Sequence, residues 1–282
     1  MVADSACSLP AALAAEWGVN VVPMWLTIGT RQFRDGELSL SEVVARLGEG
    51  LSTSGPAPGE LAEAARRADQ GDGVVLLTVS ARMSGAYASA RLAAELVAEE
   101  GREVAVVDTG TAAGAEGLVA LAAARAARAG LPLAQVVAAA REAAGAARLV
   151  ATLPRLDHLS RSGRVPGAAA WGARWLGLYP MFEFRESSVR ALRPARGARQ
   201  ALARMVTLWA RSAGRYGQGQ AALHVCAMHS SQPAAAEELL AEVARRLGAP
   251  PATSFCAAFS PVMVAHTGPG LVGLAWQWDG RG

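Results

Sequence analysis

The side chains best placed for chemistry are hydroxyls in a short loop between a predicted strand and a predicted helix. Residues 74–79 are apolar or β-branched, which predicts a strand buried on both faces. From about Gly85 to Glu99 the apolar spacing becomes helical, and Ser84 lies at the junction. Backbone N–H groups and the partial positive charge of a helix N-terminus converge there, which suits a phosphate or a carboxylate. The alternative is that Ser84 only caps the helix.

A second set of hydroxyls lies in residues 51–60, which hold two prolines, two glycines and three hydroxyl side chains. This composition predicts a stiff, exposed loop. The loop is either a plain connector or a rigid lip that presents Thr53 and Ser54 beside Ser84.

Ser84, His266 and Asp108 would together suit a hydrolase, with serine as nucleophile and histidine as base. The sequence around Ser84 lacks the glycines of a nucleophile elbow, however, and there is no dinucleotide, P-loop or zinc-protease motif. His266 is predicted to lie at the end of a strand, before a Gly-Pro-Gly turn. A ligand contact at that position competes with a purely structural role for the histidine.

Strands and helices alternate through residues 1–148, which predicts a parallel sheet covered by helices on both faces. Residues 19–28 are predicted as one strand of this part. Ligands bind such sheets at the carboxyl ends of the strands. The polar residues at or near those ends are Asp4, Ser5, Thr53, Ser84 and Asp108.

Residues 149–282 do not continue this alternation of strands and helices. They contain a predicted hairpin over residues 182–193 and two or three predicted strands in residues 254–278. Residues 165–184 carry Trp171, Trp175 and Tyr179 among small residues, which indicates either a buried helix or the wall of an apolar cavity. We therefore predict an α/β protein with two domains. Residues 1–148 form a Rossmann-like parallel-sheet domain, and residues 149–282 a second α/β domain with a mixed or antiparallel sheet.

Composition excludes several classes of function. The 282 residues are 52% hydrophobic and 18% charged with a net charge of +3, and no basic stripe with interleaved aromatics predicts a nucleic-acid partner. Three distant cysteines (Cys7, Cys226, Cys256) and four histidines without zinc spacing predict neither disulfides nor a metal site. We expect a cytoplasmic protein, because no signal peptide or membrane-spanning segment is evident.

Along nearly its whole length the chain resembles the DegV family of fatty-acid-binding proteins. Residues 53–60 are similar to the family's Thr-Ser-Gln-Pro-Ser-Pro block, and residues 84–90 to its Ser-Gly-Thr-Tyr-Gln-Ser-Ala block. Seven blocks occur in the family's order; the others are residues 2–10, residues 22–23 with 33–36, residues 107–109, residues 163–165 and residues 266–270.

The resemblance implies the EDD fold of these bacterial proteins and one buried long-chain fatty acid, with no other cofactor. The carboxylate is expected near the domain seam, on Thr53, Ser54, Ser84, Gly85 and His266. The acyl tail is expected in an apolar cavity of the second domain. Two hydroxyls and a helix N-terminus would hold the carboxylate without a buried arginine.

The family also implies a partner. In bacteria that have a fatty acid kinase, its members present the acid to the catalytic subunit for acyl phosphate formation, and Arg196 and His266 match the positions of that handover. Contact with a membrane is expected only transiently, for lipid exchange. The protein would then be a carrier without catalysis of its own.

Two departures from the family pattern concern the head group, since Gly55 and Ala88 stand where the family often has glutamine.

The sequence leaves two other functions open. One is a small-molecule hydrolase or transferase that uses Ser84 and His266, and the other is a regulatory or structural protein that has an apolar cavity but no kinase partner.

Overall fold

The computed structural model describes residues 1–165, 178–216 and 221–279. The strands are β1 (Val2–Asp4), β2 (Asn20–Val22), β3 (Trp25–Ile28), β4 (Arg31–Arg34), β5 (Leu51–Ser54), β6 (Val74–Thr78), β7 (Val104–Asp108), β8 (Arg148–Thr152), β9 (Tyr179–Arg185), β10 (Ser188–Ala195), β11 (Leu223–His229), β12 (Thr253–Ala258) and β13 (Val272–Trp278). The helices are α1 (Ala11–Glu16), α2 (Leu40–Ala45), α3 (Pro58–Ala68), α4 (Ala86–Ala98), α5 (Ala113–Arg128), α6 (Leu133–Ala146), α7 (Asp157–Arg161), α8 (Ala198–Tyr216), α9 (Pro233–Leu247) and α10 (Pro261–Thr267).

The first sheet is fully parallel, in the order β2-β1-β6-β7. All five residues of β6 are buried, as expected for a central strand with helices on both faces. Helices α3 and α4 pack on one face, and α5 and α6 cover the other. The carboxyl ends of β1, β6 and β7 therefore meet at one edge.

The second sheet is mixed, in the order β10-β9-β8-β13-β11-β12, and only the β11–β12 pair is parallel among the pairs described. One face carries Leu149, Phe182 and Phe184 and joins the large core cluster around α5. The other face packs against α8 and α9 through residues such as Met181 and Trp276. These two sheets confirm the expected α/β class, with a parallel first sheet and a mixed second one.

A third, three-stranded antiparallel sheet, β4-β3-β5, was not predicted. Residues 19–28 form two strands in different sheets, because the chain turns at Pro23, which has no N–H to donate to a ladder. Residues 51–54 form β5 instead of the start of a loop, and Thr53 lies opposite Leu26. The expectation of an exposed loop over residues 51–60 was therefore wrong for its first four residues.

Helix α5 lies between the first and second sheets. A Cβ added at Gly114 would collide with Cys226 of β11, and one added at Gly117 would lie 2.8 Å from the carbonyl oxygen of Cys7. Glycine at these positions lets the helix approach both the turn after β1 and the second sheet. Within the described ranges, no helix is long and apolar enough to cross a membrane.

Candidate functional site

A cavity of about 780 Å³ lies where the carboxyl edge of the first sheet, the three-stranded sheet and one face of the second sheet meet. Its volume is in the range of small-molecule sites, about 300–1,000 Å³. Ser54, Arg82 and Gly85 line it and are exposed, so the cavity opens to solvent beside them. This position agrees with ligand binding at the carboxyl ends of parallel strands.

Most of the cavity wall is apolar. The side chains that form it come from the second sheet and from the segment around α10, and include Leu149, Ala151, Phe182, Phe184, Phe259 and Leu271. Tyr179 is not part of the wall, because it packs in the core cluster on the opposite face of the second sheet. Tyr179 lies on β9, so neither the buried helix nor the cavity wall describes this residue. Val165, Phe182 and Phe184 of the same stretch do line the cavity, and Trp171 and Trp175 lie outside the described residues.

All five sequence-predicted ligand residues line this cavity, although they come from three separate stretches of the chain: Thr53, Ser54, Ser84, Gly85 and His266. Arg196 is exposed just after β10 and does not line it. Of the two residues predicted for the handover to a kinase, His266 lines the cavity and Arg196 does not.

Thr53 and His266 form the central polar pair of the cavity. The Thr53 Oγ1 and His266 Nε2 atoms are 2.6 Å apart. His266 lies in the last turn of α10 and not at the end of a strand, so its predicted location was wrong. The short helix was missed because it has only seven residues between a serine and a glycine.

Burial, with a smaller contribution from the nearby charge of Arg164, lowers the pKa of His266 to about 4. The imidazole is therefore neutral at neutral pH.

Ser84 lies one residue before the N-cap of α4, which is Gly85. The Ser84 hydroxyl oxygen accepts a hydrogen bond from the Ala86 N–H at 3.2 Å. Ser84 is therefore not the N-cap, and the capping interpretation was wrong in that respect, although its hydroxyl does bond the first N–H of the helix. The hydroxyl still carries a hydrogen that it can donate to a ligand.

Gly55 accounts for how closely these two hydroxyl segments approach. A Cβ added at Gly55 would lie 3.0 Å from both Cα and Cβ of Ala86. The end of β5 and the start of α4 are therefore in backbone contact, and a larger residue at position 55 would push them apart. Glycine at this position allows the two segments to approach closely, and Thr53 and Ser84 line the same cavity.

Sequence reasoning missed Arg164 as a site residue. It lines the cavity after a turn at Gly163, whose φ is +68°, and its Nη1 donates to the Ser162 carbonyl at 2.7 Å. Arg164 is half-buried, so it adds a guanidinium to the cavity lining, and the expectation that the carboxylate is held without a buried arginine stays a prediction. The Ser162-Gly163-Arg164 turn was the available signal, because glycine with positive φ lets the chain turn sharply there.

The hydrolase alternative is not supported by the contacts of its three residues. Asp108 accepts hydrogen bonds from the Ala81 and Gly110 N–H groups, at 3.1 and 2.9 Å. His266 is bonded to Thr53, and the Ser84 oxygen is bonded to a backbone N–H. Across the described residues, no group of three or more histidine, cysteine, aspartate or glutamate side chains is arranged to hold a metal ion.

Two buried carboxyl groups lie behind the cavity, at the carboxyl end of β1 and in the first turn of α5. Asp4 accepts from the Ala6 and Val79 N–H groups at 3.0 and 2.9 Å, yet burial raises its pKa to about 6. Burial and the neighbouring Asp4 raise the pKa of Glu116 well above its usual value. This environment favours the protonated form of Glu116 over the carboxylate.

The comparisons with known proteins cover almost the whole chain. Residues 1–279 match the DegV family, described as "Uncharacterised protein, DegV family". The chain is 36% identical over 278 residues to a DegV domain-containing protein of Mycobacterium tuberculosis, with 97% of this chain and 95% of that protein covered.

Solved structures of DegV family proteins also superpose on almost the whole chain. A DegV family protein from Thermus thermophilus with described fatty acid binding superposes with a TM-score of 0.87 at 29% identity, covering 98% of both chains. DegV from Bacillus subtilis, a fatty acid binding protein, superposes with a TM-score of 0.84 at 22% identity, covering 99% of this chain and 98% of that one. At that lower identity the likeness supports the fold alone.

Proposed function

The chain belongs to the DegV family, and from this we propose that it binds one long-chain fatty acid in the 780 Å³ cavity. The observation that carries the proposal is the arrangement of that cavity, in which the Thr53–His266 pair and Ser84 accompany a predominantly apolar wall. The relative from Thermus thermophilus, for which fatty acid binding is described, supports the same ligand class.

The carboxylate would be held by hydroxyl groups. A neutral His266 that donates from Nε2 to Thr53 Oγ1 leaves the threonine hydrogen free for a carboxylate oxygen, so an anionic ligand favours that tautomer. Ser84 donates the second hydrogen bond, beside the N-terminus of α4. The Arg164 guanidinium adds positive potential to the cavity and further favours an ionised head group.

The tail would supply most of the affinity. Removing about 14–16 methylenes from water gains roughly 11–13 kcal/mol at ~0.8 kcal/mol each. Immobilising the ligand and ordering its chain removes a large part of this. A buried carboxylate without hydrogen bonds would cancel much of the remainder, which is why the polar pair matters.

The finer proposal is that the bound acid is presented to a fatty acid kinase for acyl phosphate formation. Carboxylate recognition by hydroxyls leaves the oxygens less enclosed than a bidentate arginine clamp would. The exposed residues Ser54 and Gly85 beside the opening support access from outside. Arg196, which is exposed and outside the cavity lining, suits contact with a partner better than contact with the lipid.

Mass spectrometry of an organic extract from the purified protein tests the binding function. The expected result is close to one equivalent of a long-chain fatty acid, which returns after delipidation and incubation with palmitate. A delipidated protein that takes up no palmitate, and whose extract contains no fatty acid, would contradict the proposal.

A further inference from the structure

Asp35 joins three elements around the site although it does not line the cavity. It follows β4, and its Oδ2 accepts from the Ser5 hydroxyl at 2.6 Å, while its Oδ1 accepts from the Val262 N–H at 3.1 Å. The Ser5 hydroxyl oxygen in turn accepts from the Met24 N–H at 3.0 Å. One carboxylate therefore links the turn after β1, the residue before β3 and the first turn of α10.

Helix α10 depends on Asp35 for a cap. Ser260 occupies the N-cap position but makes no side-chain hydrogen bond to the helix. The Val262 N–H, which would otherwise need another acceptor, is bonded to the carboxylate of Asp35 instead. A negative charge at this end of the helix is also favourable for the peptide dipoles. Asp35 therefore contributes to fixing the position at which α10 begins, together with Pro261 at its first position.

The other end of the same helix carries His266, which is bonded to Thr53. Both attachments run to the three-stranded sheet, since Asp35 directly follows β4 and Thr53 lies on β5. Val262 and His266 are four residues apart, which corresponds to about 6 Å along a helix. Two bonds one turn apart restrain the helix from pivoting, and loss of the Asp35 bond leaves the packing of buried Val262 and Val264 to hold its first turn.

We propose that Asp35 is a positioning residue, which holds α10 so that His266 meets Thr53. The proposal concerns the geometry of the protein without ligand. Its consequence for lipid affinity rests on the fatty acid function proposed above.

The test compares Asp35→Ala with Asp69→Ala, a matched control in which the lost carboxylate also accepts from one backbone N–H and one side chain, those of Gly71 and Arg102. The first readout is the set of imidazole ¹⁵N shifts of His266 in the delipidated protein. The native protein and the control should show one hydrogen-bonded tautomer. Asp35→Ala should show averaging between tautomers, and unchanged His266 shifts would overturn the proposal.

The second readout is a double-mutant cycle on palmitate affinity. If Asp35 acts through His266, Asp35→Ala should weaken binding at least about fivefold in the native background and less than about twofold in His266→Gln. Equal losses in both backgrounds would mean a general structural role and would overturn the proposal. Changed His266 shifts with unchanged palmitate affinity would support the positioning role and contradict the head-group role of His266.

Ser5→Ala keeps the experiment decisive if Asp35→Ala does not fold. This variant removes the Ser5–Asp35 bond and retains the one from Val262. It should change the His266 shifts in the same direction and by a smaller amount. A folded Ser5→Ala protein with native His266 shifts would count against the proposal.

Discussion

Thr53 Oγ1 and His266 Nε2 lie 2.6 Å apart, although 213 residues separate them in the chain. The bond joins the three-stranded sheet to the last turn of α10, and both residues line the same cavity. Thr53→Val removes the hydroxyl and keeps the shape of the side chain. Because a hydrogen bond to a charged group contributes about 1.5–3 kcal/mol, palmitate should bind roughly 10- to 150-fold more weakly.

The matched control for Thr53→Val is Ser52→Ala. Ser52 precedes Thr53 on β5 and is exposed. Isothermal titration calorimetry should give native affinity for the control. An equal loss in both variants would mean that damage to the strand, and not loss of the Thr53 hydroxyl, weakens binding.

Ser84→Ala should weaken palmitate binding by a similar factor while the protein remains folded. The change removes the donor to the carboxylate, and it also removes the acceptor of the Ala86 N–H, which costs about 1 kcal/mol of protein stability. Thermal melting separates the two effects. Retention of native lipid affinity in a folded Ser84→Ala protein would exclude Ser84 from the head-group site.

His266 should make the protein less stable in acid. Its pKa is about 4 in the folded state against 6.5 in the unfolded chain, so the unfolded state binds the extra proton between these values. The stability contribution is present above pH 6.5 and is lost as the pH falls toward 4. Between pH 7 and pH 5 the native protein should lose about 2 kcal/mol relative to His266→Gln, measured by urea unfolding. A constant difference between the two proteins would contradict the buried, neutral imidazole.

Glu116 should have the opposite pH dependence. Its pKa is raised by burial and by Asp4, so its contribution is present at low pH and is lost as the pH rises through the raised value. Glu116→Gln removes this ionisation, and the variant should gain stability relative to the native protein as the pH increases from 5 toward 8. The exposed Glu42, whose pKa is lowered, provides the control, because Glu42→Gln should show no such gain. A flat difference for Glu116→Gln would contradict the raised pKa of Glu116.

Arg196→Ala should lower acyl phosphate formation with a fatty acid kinase and leave palmitate affinity unchanged. The reason is its location, which is exposed and outside the cavity lining. Arg199→Ala removes the same charge from a nearby exposed position and serves as the control. Parallel loss of binding and phosphorylation in Arg196→Ala would refute the handover role.

Periodicity was sufficient for the regular elements of the fold. The apolar run of β6 and the apolar face of α9 each have a strong local signal, and both form as expected. Helix α4 also forms, but it buries alanines and Val97, whereas Leu92 and Leu96 are exposed. The family resemblance was confirmed by the match over residues 1–279. Strand β5 was missed because prolines and glycines follow it directly, and its pairing with β3 depends on residues far away in sequence.

The sequence was sufficient to predict which residues line the site, but not how they are arranged in space. Ser84 and Thr53 were identified from their loops, but their approach depends on contact between Gly55 and Ala86, which no local pattern encodes. Arg164 was missed because a single arginine after a glycine is typical of an exposed turn. His266 was placed in a strand because α10 is too short to show a helical period.

The central claim is that the cavity holds an ionised fatty acid with its carboxylate on Thr53 and Ser84. A crystal structure of the palmitate complex tests it most directly. The account predicts carboxylate oxygens within about 3 Å of Thr53 Oγ1 and Ser84 Oγ, with the tail against Phe182 and Phe184. A carboxylate bound elsewhere, or a cavity filled by the protein's own side chains, would contradict it.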